Sequence, residues 1–209
     1  MNSIDKSWVD THVDSNGEVV IPEGVQVIKK GAFQGNDKVK RIIMPDSIIG
    51  IEPRAFAECP NLQEANLSSN LQILGMNAFR NCTQLKSITI PDKVKTIYPG
   101  TFEGNANIES ITLNGSLDYF SVLSLSKCDK LEEVTINGTQ RIDYGTFLNK
   151  SSIRRIRIDG QEVSLDENQT LLSLQKTGEK VAIVVRGEKG AISTKAMNLE
   201  KRNIKYCIR

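Results

Sequence analysis

Phe33, Phe56, Phe79 and Phe102 stand 23 residues apart. The same step lands next on Leu125, and Phe147 follows 22 residues after that. A period kept this long constrains the fold more than local propensity does. Fixed repeats of roughly 20–50 residues mark units that cannot bury their apolar side alone and must stack.

Other slots keep the same beat. A small residue precedes each position of the series, at Ala32, Ala55, Ala78, Thr101, Ser124 and Thr146. Three residues after it stand Asn36, Cys59, Cys82, Asn105, Cys128 and Lys150. Val39, Leu62, Leu85, Ile108, Leu131 and Ile153 then open a strand-like run. The run closes at Pro22, Pro45, Ser68, Pro91, Asn114, Asn137 and Asp159. A last apolar slot holds Ile28, Ile51, Leu74, Ile97, Phe120 and Ile142.

In "LKSITIP" apolar and polar residues alternate, the period of a strand with one face buried. Leu85, Ile88 and Ile90 are expected inward, Ser87 and Thr89 outward. Proline cannot donate to a ladder and ends pairing. "PGTFEGN" and "MNAFRNC" read as short helical turns that plug a ring into the core. Stacking such units gives an elongated solenoid with a parallel sheet along one face.

The phrase "AFRNCTQLKSITIP" resembles the BspA-like subclass of leucine-rich repeats at every slot, and "AFAECPNLQEANLS" and "AFQGNDKVKRIIMP" match with substitutions. The expected fold is therefore an α/β leucine-rich-repeat solenoid of 23-residue repeats. The resemblance implies a parallel sheet on the concave face and short helical turns on the other side. It also implies a bacterial cell-surface or secreted protein acting in adhesion or protein binding. The N-terminus "MNSIDKSWVDTHVDSNGE" lacks the apolar stretch of a secretory signal, so the compartment stays open.

The division expected is an N-terminal cap over 1–18, repeats over 19–165 and an irregular C-terminal repeat and cap over 166–209. Ile4, Trp8 and Val9 are expected to cover the first open core layer. Beyond residue 160, Val181 to Val185 read as a strand after a Thr-Gly turn. "ISTKAMNLEKRNIKYCIR" reads as a short helix and a terminal strand, with Ala196-Met197 as a degenerate Ala-Phe slot.

Charge excludes some partners. The formal balance of +2 is too small to imply nucleic acid, and no apolar run approaches a membrane helix. Residues 150–209 nevertheless carry 13 Lys/Arg against 7 Asp/Glu. His12 is the single histidine, and no phosphate loop, HExxH or paired Cys-x-x-Cys is present. Neither an enzyme nor a cofactor or metal is expected. Cys59, Cys82 and Cys128 share one slot with Asn36 and Asn105, which reads as small buried packing; Cys207 reads as a strand residue. Parallel Cβ vectors suit a disulfide between neighbouring coils badly.

The outward strand positions form the candidate binding face. They include Arg41, Glu64, Thr89, Thr112, Glu133, Thr135, Arg155 and Arg157, with Thr89, Thr112 and Thr135 stacked as a ladder. Arg154, Arg155 and Arg157 end the face with concentrated positive charge, suited to an acidic partner. The expected role is protein binding or adhesion, with glycan recognition or a structural spacer as alternatives.

Overall fold

In the computed structural model, the described residues are 1–121, 123–138, 140–142, 152–158, 161–164, 170–177, 180–186, 192–198 and 203–207. Side-chain surroundings are described within 1–157.

The first coil holds β1 (Ser3–Ile4), helix α1 (Lys6–His12) and β2 (Glu18–Val20). Each later coil pairs a short strand with a longer one. These are β3 (Val27–Ile28) and β4 (Arg41–Ile43), β5 (Gly50–Ile51) and β6 (Glu64–Asn66), and β7 (Ile73–Leu74) and β8 (Ser87–Ile90). Then come β9 (Thr96–Ile97) and β10 (Ser110–Asn114), β11 (Tyr119–Phe120) and β12 (Glu133–Asn137), then β13 (Gln140–Ile142) and β14 (Arg155–Ile158). The long strands stack in parallel as β2-β4-β6 and β8-β10-β12-β14. The short strands stack as β1-β3-β5-β7 and β9-β11. Register follows the sequence period, as in Ile111 against Ile88 and Val134.

The core is a set of columns running along the stack. Val19, Ile42, Ala65, Ile88, Ile111, Val134 and Ile156 form one; Ile28, Ile51, Leu74, Ile97 and Phe120 form another. The third side of each coil is the turn that carries the phenylalanine. Phe33, Phe56, Phe79 and Phe102 are buried, and their rings stack at 4.7, 5.0 and 6.0 Å. These turns are single i to i+3 turns, as in Ala78 N–H to Gly75 C=O at 3.1 Å. Phe147 lies outside the described residues.

The shared Asn/Cys slot has a specific task. A phenylalanine carbonyl buried in the stack needs a donor, since an unmatched buried carbonyl is costly. Cys59 Sγ donates to Phe33 O at 3.1 Å, Cys82 Sγ to Phe56 O at 3.0 Å, and Cys128 Sγ to Phe102 O at 3.1 Å. Asn105 Nδ2 does the same to Phe79 O at 2.9 Å. Each bond reaches back one coil. Cys59 and Cys82 are free thiols. Burial, and secondarily the Cys59 thiol, pushes the Cys82 thiol well above its ordinary range.

At the N-terminus Asp5 caps α1, its Oδ1 accepting from Ser7 N and Trp8 N at 3.0 and 3.2 Å. Ile4, Trp8 and Val9 are buried there, and Trp8 stacks on His12 at 4.1 Å.

The C-terminal segment departs from the sequence reading. β15 (Gln161–Ser164) folds back antiparallel on β14. β16 (Thr170–Thr177), β17 (Lys180–Arg186), β18 (Ile192–Asn198) and β19 (Asn203–Cys207) then form an antiparallel meander, joined to β13 through β16. Residues 192–198 are thus strand, not the short helix expected, and Ala196 and Met197 pair with Ala182 and Val181 instead of occupying a turn. Strand partners on both sides override a segment whose own periodicity is weak.

Candidate functional site

The long strands expose two side chains each, in two columns. The first runs Glu18, Arg41, Glu64, Ser87, Ser110, Glu133 and Arg155; the second runs Val20, Ile43, Asn66, Thr89, Thr112, Thr135 and Arg157. All eight residues singled out in the sequence lie on this one face. They do not converge on a point, because parallel register holds them in rows.

Electrostatics divide the face into three zones. Near the N-terminus Arg41 sits between two carboxylates, Nε 3.2 Å from Glu64 and Nη1 3.5 Å from Glu18. At the far end Glu133 sits between two guanidiniums, Oε2 3.0 Å from Arg155 Nε and Oε1 3.3 Å from Arg157 Nε. The arginine cluster is therefore already engaged by a carboxylate of the neighbouring strand. Thr135 Oγ1 also donates to Glu133 Oε1 at 3.4 Å. Between these charged zones lie Ser87, Thr89, Ser110 and Thr112.

A groove of about 480 Å³ opens in the middle zone, between β6 and β8. Ala65 and Ile88 form its floor, and Glu64, Asn66, Thr89 and Asp92 stand in its walls. It opens here because Ala65 is the smallest member of a column otherwise filled by valine and isoleucine. Glu64 and Thr89 of the expected site line it; the other six do not. Sequence reasoning missed the groove, although an alanine in that column was its visible sign. It also missed the exposed apolar side chains on the short-strand side and the turns that follow it, Ile73, Met76, Tyr98, Tyr119 and Leu123.

Among the described residues no cluster of three or more His, Cys, Asp or Glu side chains could hold a metal, and no helix is long and apolar enough to cross a membrane.

Parallel ladders, a 23-residue period and a buried phenylalanine column define a leucine-rich-repeat solenoid. The family model for the BspA-type leucine-rich repeat region, in 6 copies, matches residues 11–121 and 50–169. The chain belongs to this BspA-type leucine-rich repeat family. Among solved structures it is similar to a leucine-rich cell surface protein of Faecalibacterium prausnitzii, at 32% identity and a TM-score of 0.55, over 58% of this chain and 32% of that one. Two further structures share the fold. The pneumococcal vaccine antigen PcpA has 22% identity and a TM-score of 0.58, over 68% of this chain and 36% of that one. A leucine-rich repeat protein of Eubacterium ventriosum has 21% identity and a TM-score of 0.61, over 69% and 42%. The chain thus matches less than half the length of each of these proteins. No curated protein matches it significantly.

Proposed function

We propose that the chain is a non-enzymatic binding module that engages an extracellular protein across its long-strand face. The observation that carries this is the middle zone. The hydroxyls of Ser87 and Thr89 line one side of a groove of about 480 Å³, facing Glu64 and Asn66, which are already joined to each other by the Asn66 Nδ2 to Glu64 Oε1 bond. Surfaces that bind proteins combine apolar contact with polar groups free to pair, and solenoids use such extended faces. The likeness to a cell surface protein supports the setting. Arg41, Glu64, Thr89, Thr112, Glu133, Thr135, Arg155 and Arg157 are proposed as contact positions. The Thr89–Thr112–Thr135 row is the centre, and the engaged arginines are rim. Within the C-terminal repeat and cap proposed over 166–209, strands β16 to β19 serve to close the stack.

The test is an array of extracellular proteins and polysaccharides probed with the wild-type chain, a Thr89→Arg/Thr112→Arg variant and an Ile73→Asp control on the short-strand side. Protein binding lost only in the arginine variant supports the reading. Polysaccharide binding lost in that variant favours glycan recognition on the same face. No binding, or binding equal in all three, leaves a structural spacer and overturns the proposal.

A further inference from the structure

Neighbouring coils are tied by one repeated main-chain clamp, in which a single carbonyl accepts two successive N–H groups. Lys40 and Arg41 donate to Gly17 O, and Gln63 and Glu64 to Lys40 O. Glu109 and Ser110 donate to Lys86 O, Glu132 and Glu133 to Glu109 O, and Arg154 and Arg155 to Glu132 O. One member of the series is missing among the described residues: neither Lys86 nor Ser87 bonds to Gln63 O, and no ladder joins β6 to β8.

The short strands repeat the omission at the same junction. Gln72 and Ile73 donate to Ile49 O, and Asp118 and Tyr119 to Lys95 O, but Lys95 and Thr96 do not reach Gln72 O. Gly75 N bonds to Ile51 O at 2.8 Å and Ser121 N to Ile97 O at 3.0 Å, while Tyr98 has no such bond to Leu74. A seam therefore separates residues 63–75 from 86–98, half a coil long. The Lys93 Nζ to Asn70 Oδ1 bond crosses it.

The turn side stays closed. Phe79 N donates to Thr101 O at 2.9 Å and Asn81 N to Glu103 O at 2.8 Å. Asn105 Nδ2 reaches Phe79 O, and Arg80 Nε lies 3.2 Å from Glu103 Oε2. Even so, the rings are furthest apart here, 6.0 Å for Phe79–Phe102 against 4.7 and 5.0 Å in the two preceding pairs. The cause lies in side-chain volume. Ala65 underfills its column and is 9% exposed, and Ile88 opposite is 3% exposed where Ile42 and Ile111 are fully buried. Leu67 is only partly buried in a row where Ile90, Leu113 and Ile136 are buried.

We infer that this seam is a hinge: the coils up to residue 75 and those from residue 86 onward pivot about the intact turn column, opening and closing the two strand sides. Strand ladders resist bending because each bond is lost in concert with its neighbours. Where a ladder is already absent on two sides, the remaining bonded side is the pivot. The motion alters the width of the groove between β6 and β8. It stands whether or not that groove binds a protein.

The experiment places keto-amino-acid spin labels, which leave native cysteines untouched, in the full chain. One pair, Lys40 and Glu109, spans three junctions on the strand side; the other, Asn61 and Lys130, spans three junctions on the turn side. The strand-side distance distribution is expected to be about twofold broader than the turn-side one, as rotation about the turn column moves the far side most. Ala65→Ile, which fills the column, is expected to narrow it to the turn-side width. Equal widths in the native chain overturn the hinge. A second reading uses hydrogen exchange on the unmodified chain. Amides of Ser87, Thr96 and Tyr98 should exchange faster than those of Ser110, Tyr119 and Ser121, and equal protection also overturns the proposal.

Discussion

Two residues before and two after each of the four turn phenylalanines, and two after Leu125 in the same slot, the backbone takes a left-handed conformation. The earlier position is Gly31, Arg54, Asn77 and Gly100; the later one is Gly35, Glu58, Asn81, Gly104 and Lys127. Glycine and asparagine suit it, whereas Arg54, Glu58 and Lys127 carry a Cβ penalty of roughly 1–2 kcal/mol. Those three residues concealed the pattern in the sequence, where glycines alone would have shown it. Glu58→Gly should therefore stabilise the fold by about 0.5 kcal/mol, after the extra chain entropy of glycine is subtracted. Gly104→Ala should cost about 1–2 kcal/mol, because its φ is +78° and its Cβ would meet the Asn81 side chain. Urea midpoints check both signs. The Asn/Cys slot offers a second residue-scale test. Asn105 Oδ1 is buried without a hydrogen-bond partner, although Nδ2 is fully used. Asn105→Cys keeps a donor for Phe79 O and removes the orphan acceptor; the Nδ2 bond to Phe102 O is given up, but that carbonyl keeps Cys128 Sγ as a donor, so stability should rise by at most about 1 kcal/mol. An unchanged or lower urea midpoint would count against that role for the slot.

At the scale of one coil, the phenylalanine layer and the thiol beneath it act together. Phe79 lies between Phe56 and Phe102 and is fully buried, so Phe79→Ala should cost about 3–5 kcal/mol. A loss below about 1 kcal/mol in urea unfolding would be too small for a core truncation. The Cys82 thiol is held neutral by burial first and by Cys59 second. As pH rises the unfolded chain ionises before the folded one. The neutral thiol's contribution is therefore complete below the ordinary thiol range and is lost as pH climbs through the raised folded value. Stability measured from pH 7 upward should fall above that range, and Cys82→Ala should flatten the fall. The coil was legible in sequence because its period, its alternation and its proline stops agree, as at Ser87–Ile90. The meander was not. Val181 to Val185 announced itself through β-branched residues, but Ile192–Asn198 is a strand only because β17 and β19 flank it. The outward positions of the long-strand face were also legible from alternation. Their ion pairs were not, since the Glu133 clamp joins strands 22 residues apart.

At the scale of the whole stack, the bonds among the described residues join each coil to the next, so energetic coupling should fall off with coil number. Phe56→Ala and Phe79→Ala touch one another's rings at 5.0 Å and should be non-additive when combined. Phe33→Ala and Phe102→Ala are separated by two intervening rings and should add within about 0.5 kcal/mol. Denaturant unfolding of the four single and two double variants decides this, and strong coupling in the distant pair would mean that the stack behaves as one undivided core. The one-coil reach of the Cys59, Cys82, Asn105 and Cys128 bonds, each spanning 26 residues, bears on heredity. A gene crossover that adds or drops a whole multiple of 23 codons hands every donor the carbonyl it would have met anyway. One that misses by a single codon strands a thiol against the wrong atom and turns a strand's inward side chains outward. The length of such a chain can drift freely in whole units while the unit itself stays fixed.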